Sequence, residues 1–332
     1  MTGWARLAVA PTIANASGSH RATRIMKTIR RLERTCAAPL LNNSKSDAPP
    51  GGSNTPGKLQ WILNPRTLPA CRLRVCAVHY LNTMPLVWGM LHGGQRGLFD
   101  VEFASPAECA DRLAEGRADV GLLPVVELLR QELKVIPGVG IACRGPVRSI
   151  LLVSKQPFAR IRTLAADSAS RTSVTLARMV LWHRYGARLE VRPTAADLNR
   201  MLEEADAALL IGDPALCLPA EALPYRVLDL GQAWLDWTGL PMVFAVWAGR
   251  PECVTPELAT PFLESCRFGR ARLEEIVRRE AAPRGIPEEL ARAYLSRHIV
   301  HELGPREYEG LERFLQAARE FANVEASGRV FA

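Results

Sequence analysis

Four hydroxyls and one guanidinium fall within six residues of this chain: Ser168, Ser170, Arg171, Thr172 and Ser173. After them Val174, Leu176, Met179, Val180 and Leu181 recur at helical spacing, so the group stands at the start of a helix. The first turn of a helix carries backbone N–H groups with no intrahelical acceptor and the positive end of the helix dipole. Hydroxyls and an Arg added at that end make a receptor for a carboxylate or a phosphate. One Ser or Thr there reads as a cap and nothing more. Four together with an Arg read as an anion site.

Other polar residues stand where strands and helices should end. Tyr80-Leu81-Asn82 closes an apolar strand, and Asn82 reads first as a turn or cap residue. Ser149 lies in the apolar stretch 147–153, where a hydroxyl is either satisfied in the core or turned toward a cleft. Gly212-Asp213-Pro214 reads as a turn, and Asp229 as the cap of a helix running to Trp237. Thr238-Gly239-Leu240-Pro241 reads as a tight turn whose glycine lets backbone approach a ligand. Trp234, Trp237 and Trp247 read as core. His79, before the Tyr-Leu-Asn turn, sits on a strand face that alternates toward the core.

These residues need a scaffold. Leu73–Val78, Val101–Phe103 and Ala118–Leu123 read as strands, with helices at Met84–Leu91, from Ser105-Pro106 to Glu115, and from Val125 to about Glu132. That alternation predicts a parallel sheet covered by helices. Segments 136–143 and 147–153 are strand-like with no helix between them, so the second reads as a crossing strand into another lobe. There the alternation resumes: strand 163–166, helix 171–184, strand 188–192, helix 195–204, strand 207–211, strand 225–228. Pro241–Ala248 is a continuous apolar strand able to return to the first lobe. The remainder, 256–281, 287–301 and 305–322, reads as amphipathic helix.

The expected fold is α/β and bilobal, two α/β lobes joined by two crossing strands as in type 2 periplasmic-binding-protein-like folds. Lobe 1 takes residues 71–153 and 243–332, and lobe 2 the inserted residues 154–242. Ligands of such folds sit in the cleft near strand ends and helix N-termini. The loops at 80–82, 145–149 and 167–173 are expected to converge there, joined by the turns at 212–213 and 237–241.

Composition narrows the function. Residues 1–70 hold ten basic and two acidic side chains, which accounts for the whole net charge of +8, since the rest holds 32 of each sign. The basicity therefore belongs to the tail and argues against nucleic acid as the partner of the folded part. The Pro-, Gly- and Ser-rich stretch 42–57 marks 1–70 as a disordered extension. The eight cysteines are scattered and form no Cys-x-x-Cys pair, and no His-x-x-x-His pairing is present. No metal site, no cofactor and a reducing, cytoplasmic compartment are the expectations. No apolar run approaches the length of a membrane span.

Five blocks, taken in order, resemble one family. They are Tyr-Leu-Asn-Thr-Met-Pro-Leu (80–86), Gly-Pro-Val-Arg-Ser (145–149), Ser-x-Ser-Arg-Thr-Ser-Val (168–174), Ala-Ala-Leu-Leu-Ile-Gly-Asp (207–213), and Asp-Leu-Gly-x-x-Trp-x-x-Trp-Thr-Gly-Leu-Pro (229–241). Together they resemble the MqnA family, the chorismate dehydratases of the futalosine route to menaquinone. The resemblance runs from about 72 to 325. The sister family's Ser-Pro-Cys-Pro-Asn-Asp-type opening is absent. One departure is Val125 after Pro124, where the family pattern has Ser; a valine side chain makes no hydrogen bond.

The resemblance implies dehydration of chorismate to 3-[(1-carboxyvinyl)oxy]benzoate, with no metal and no cofactor. It implies Asn82 and Ser149 as catalytic residues. Tyr80, Ser168, Ser170, Arg171, Thr172, Ser173, Gly212, Asp213, Thr238 and Gly239 are the implied substrate contacts. The base is left open between the substrate's own carboxylate and Asp167, Asp213 or His79. The competing class is a non-catalytic solute-binding protein for a small organic anion, which fold alone does not exclude.

Overall fold

Apolar residues on both faces bury β1 (Leu73–Val78) from Val75 onward. A 3-10 turn over Leu81–Thr83 then leads into α1 (Met84–His92), which has Pro85 in its first turn, where a missing N–H costs nothing. The structure, a computed structural model, describes residues 72–327. The expected basic extension 1–70 lies outside the described residues. β2 (Phe99–Ala104) follows α1, and Ser105 caps α2 (Pro106–Ala114) by accepting the Glu108 N–H. β3 (Val120–Pro124) is buried along its whole length, and β4 (Lys134–Cys143) closes the first run.

The second run comprises β5 (Ile150–Ser154), β6 (Thr163–Asp167), α3 (Arg171–Tyr185), β7 (Glu190–Thr194), α4 (Leu198–Glu204), β8 (Ala207–Ile211), α5 (Gly212–Leu216), β9 (Arg226–Asp229) and α6 (Leu230–Thr238). The chain then forms β10 (Met242–Gly249), α7 (Ala259–Arg270), α8 (Leu273–Glu280) and α9 (Glu288–Ala293). A π turn (Tyr294–His298), β11 (Val300–Glu302) and α10 (Pro305–Ser327) complete it.

Two sheets result. The first has six strands in the order β11-β4-β10-β3-β1-β2, the second five in the order β7-β6-β8-β5-β9. β1 pairs in parallel with β2 and β3, and β6 with β7 and β8, as the alternation predicts. β10 runs antiparallel to β3 and β4 because it returns from the other lobe. β5 pairs antiparallel with β8 and β9, entirely within the second sheet. Sheet membership therefore puts the first crossing in residues 144–149, ahead of the expected boundary at 153.

Two expected helices are shorter. Val125–Leu129 is only a 3-10 turn, opened by two β-branched residues. The segment 287–301 is helical only to His298 and ends in the edge strand β11, which pairs with β4. Of the three tryptophans read as core, Trp234 and Trp247 are fully buried, whereas Trp237 is half-buried at the core's edge, stacked on His183 at 4.4 Å. The C-terminal α10 packs on β10 and reaches α3, where Phe321 meets Trp182 edge to face at 5.7 Å. It straps the helix that carries the hydroxyl cluster.

Candidate active site

Between the lobes lies a cavity of about 70 Å³. Tyr80, Asn82, Ser149, Ser170, Arg171, Thr172, Ser173 and Gly212 line its polar side; Leu122, Ile141, Ile211 and Phe244 are among its apolar walls. A flat apolar ring with polar substituents at its edge suits such a lining.

The hydroxyl cluster arrives on α3, with Ser170 at the N-cap position. Its side chain makes no capping bond. Ser170 is 3 % exposed, and its Oγ is buried without a hydrogen-bond partner. A buried hydroxyl left unpaired is costly in an empty site and satisfied in a filled one. The Thr172 Oγ1 accepts the Val126 N–H at 3.3 Å, which docks α3 on the first lobe beside Val125. Val125 itself is fully buried and does not line the cavity. Arg171 behaves differently from a free anion receptor. Its guanidinium donates to Asp111 Oδ1 at 2.6 Å and Glu127 Oε1 at 3.2 Å, both on the first lobe. It clasps the lobes together, and the donors left for a ligand are the first-turn N–H groups and the hydroxyls.

Opposite stand Asn82 and Ser149. The Asn82 Nδ2 donates to the Tyr294 hydroxyl at 2.9 Å, and that hydroxyl donates to Ser149 Oγ at 2.7 Å. Ser149 is held by its backbone too. Arg148, with φ 65°, is the single non-glycine in the left-handed region among the described residues. The Asp229 carboxylate fixes that bend by accepting the Val147 and Arg148 N–H groups at 3.0 and 2.7 Å. It also caps α6 through the Gly231 and Gln232 N–H groups. Such strain is stored where a side chain must be aimed.

The turn after β8 closes the cavity. Gly212 has φ +65°, donates its N–H to the Ser149 carbonyl at 2.8 Å, and lies flat against the Tyr80 ring. The Asp213 carboxylate accepts the Leu81 N–H at 3.0 Å and pairs with Arg284 at 3.4 Å. Burial raises its pKa against the Leu81 N–H and Arg284, which lower it. Asp213 therefore ties the lobes and does not line the cavity. Asp167 also lies outside the lining, its Oδ1 bonded to the Ala169 N–H at 2.9 Å; burial raises its pKa. His79 is exposed, with Nδ1 2.9 Å from the Ala104 carbonyl oxygen. Ser168 is exposed and outside the lining. Thr238 and Gly239 do not line the cavity either. Gly239, with φ 70°, ends α6, and the Thr238 hydroxyl donates back to the Trp234 carbonyl at 2.9 Å. That turn is a helix C-cap.

Two residues behind the site were beyond sequence reasoning. Tyr294 joins Asn82 to Ser149, and the His301 ring places Nε2 2.8 Å from the Asn82 carbonyl oxygen. The one local signal is Ile299-Val300, a β-branched pair that breaks the helical pattern just there. Burial pulls the His301 pKa down to about 4, so its ring is neutral in the folded protein and donates Nε2–H to that carbonyl. Between pH 6.5 and 4 the unfolded chain then takes up a proton that the folded chain refuses. Stability is present in full above the unfolded pKa and falls on acidification, by up to roughly 3 kcal/mol from this group. Urea melts at pH 7 and 4.5 should show a smaller difference for His301→Gln than for the wild type; an equal difference removes His301 as its source.

Among the described residues no group of three or more His, Cys, Asp or Glu side chains is placed to hold a metal ion. No helix among them is long and apolar enough to cross a membrane.

The fold is shared with solved structures at low identity. The protein AF1704 of Archaeoglobus fulgidus superposes with a TM-score of 0.59 at 17% identity, covering 76% of this chain and 98% of its own. The periplasmic aliphatic sulphonate binding protein SsuA of Escherichia coli gives 0.53 at 16%, covering 77% and 88%. The class is thus the periplasmic-binding-protein-like fold, with a donor-lined interlobe cavity. Sequence carries the identification further. A chorismate dehydratase of Thermus thermophilus is 33% identical over 238 residues, 66% of this chain and 86% of that protein. One from Campylobacter jejuni is 25% identical over 250 residues, 73% and 96%. The model of the menaquinone biosynthesis family matches residues 73–320, and the chain belongs to that family.

Proposed function

We propose that this protein dehydrates chorismate to 3-[(1-carboxyvinyl)oxy]benzoate for menaquinone synthesis. The observation that carries the reading is the character of the cavity wall. It offers neutral donors and a helix N-terminus, with no carboxylate and no histidine among its lining residues. A doubly negative cyclohexadiene meets attraction on the polar side and a dry apolar wall on the other.

The reaction removes the C3 proton and the C4 hydroxyl, as water, and leaves an aromatic ring. The C3–H is acidified through the conjugated double bond to the ring carboxylate. Donors on that carboxylate stabilise the enolate-like charge as it develops, and the first turn of α3 with Ser170 supplies them. The ionisable side chains lining the cavity are Tyr80 and Arg171. Burial, then the Asp167 and Asp213 charges, push the Tyr80 pKa up, and Arg171 is ion-paired. Neither makes a base, so the enolpyruvyl carboxylate of the substrate takes the C3 proton. Ser149 then donates to the departing C4 hydroxyl while Asn82 orients the ring. Aromatisation supplies the driving force, so a modest base suffices.

The test is incubation with chorismate, following the product by its ultraviolet spectrum and mass; no product at high enzyme concentration overturns the reading. A finer test concerns Ser170. Its hydroxyl bonds nothing in the protein, so Ser170→Ala should leave the melting temperature unchanged or slightly higher. The KM for chorismate should rise about tenfold, the worth of one hydrogen bond to a charged group. An unchanged KM removes Ser170 from substrate binding. A reducing, cytoplasmic setting fits the described cysteines, which are free thiols.

A further inference from the structure

Tyr294 lies far from the cavity blocks in sequence and lines no part of the cavity, yet its one oxygen touches both Asn82 and Ser149. It opens the π turn between α9 and β11, a widened turn of the kind found at functional sites. Its ring is 1 % exposed. A tyrosine so deep needs one partner for its hydroxyl, and this one has two. Asn82 follows β1 of the first sheet; Ser149 precedes β5 of the second.

The directions of these bonds matter more than their number. The phenol has one hydrogen, and it goes to Ser149 Oγ at 2.7 Å. Its lone pair takes the Asn82 Nδ2–H at 2.9 Å. A serine oxygen that already accepts has its own hydrogen left to give. The Asn82 amide is likewise fixed in orientation: its Oδ1 accepts the Thr83 hydroxyl at 3.5 Å, and its second N–H is left over. His301 holds the same asparagine from behind by its main-chain carbonyl, at 2.8 Å. The segment 294–301 thus grips Asn82 at the side chain and at the backbone.

We propose that Tyr294 is a positioning residue for the dehydration: it orders the Asn82 amide and the Ser149 hydroxyl so that Ser149 presents a hydrogen, not a lone pair, to the leaving hydroxyl. This rests on the function proposed above. Burial raises the phenol pKa, so the donor to Ser149 stays protonated through the alkaline range in which an enzyme is assayed. A tyrosine needed only to fill the core would be replaced by phenylalanine with no change in the chemical step.

The experiment is steady-state turnover of chorismate by the wild type, Tyr294→Phe, Ser149→Ala and the double variant, with melting temperatures for all four. Tyr294→Phe should lower kcat about 50-fold, within the range for loss of a preorganised donor, while KM changes less than about threefold. On the Ser149→Ala background the same substitution should cost much less, because its route to the substrate is already cut. A kcat within threefold of wild type, or an undiminished loss on the Ser149→Ala background, overturns the proposal. If the wild type itself makes no product, the functional reading has failed and not this one. Should Tyr294→Phe not fold, 3,5-difluorotyrosine at position 294 keeps the ring and the hydroxyl but ionises at lower pH. Its kcat should then fall with rising pH where the wild type's does not, and superimposable pH profiles overturn the proposal.

Discussion

Asn82→Asp is expected to cut chorismate turnover on the order of 10³-fold, about the upper range for removing a preorganised donor, with the fold retained. The substitution keeps the size of the side chain and removes its N–H groups. One of those groups donates to Tyr294 at 2.9 Å, and the residue itself lines the cavity. In its place comes a carboxylate facing a dianion across a partly dry cleft, where like charges a few ångströms apart repel by several kcal/mol. The Tyr294 hydroxyl then has two acceptors to serve with a single hydrogen. Asn82→Ala, which removes the amide and adds no charge, should retain more binding than Asn82→Asp and no more turnover. Product formation followed in the ultraviolet, with circular dichroism and melting curves for both variants, checks this. Turnover near the wild-type rate in either variant takes Asn82 out of the mechanism.

The residues that make such a variant informative differ in how far the sequence betrays them. Alternation of apolar strands with capped helices is a local property, so β1, β2, β3, β6 and β8 are legible one at a time, as is the Ser105 cap with Pro106 behind it. The hydroxyl cluster is legible for the same reason, since the helix start that makes it an anion site lies in the next residue. Pairing across the cleft is another matter. Arg171 looks like a free cation in the sequence because Asp111 and Glu127, which neutralise it, stand 60 and 44 residues earlier. Tyr294 stands 212 residues from Asn82. Apart from the break at Ile299-Val300, nothing local distinguishes it from any aromatic residue on the apolar face of a helix. Thr238 and Gly239 mislead in the opposite sense. Their turn has the composition of a ligand-approaching loop, but the left-handed glycine is required simply to end α6. His79, Asp167 and Asp213 are chemically fit to be bases in the sequence, and the structure places none of them in the cavity lining.

Gly212→Ala should cost about 10²-fold in kcat/KM, the scale of a misplacement of order 1 Å in a catalytic site. The glycine meets two separate demands. Its φ of +65° strains any residue with a Cβ, by roughly 1–2 kcal/mol. Its Cβ position also lies 2.5 to 2.6 Å from three carbons of the Tyr80 ring, closer than real carbon atoms approach. Tyr80 is 8 % exposed and cannot swing into solvent without opening the cavity it lines. Relief must come from the lobes parting, which lengthens the Asp213 bond to the Leu81 N–H. Backbone strain and clash are separable with a second glycine. Gly186 ends α3 with φ +62° and has no atom within 4 Å of its Cβ position. Gly186→Ala should therefore lose stability of about the strain alone and keep its kcat/KM. Kinetics and urea melts on the two variants decide the matter: the turnover deficit should belong to Gly212→Ala only. Equal kinetics in the two would mean that the fit between Gly212 and Tyr80 is packing without catalytic consequence, and that the cavity forms whether or not the lobes close to this distance.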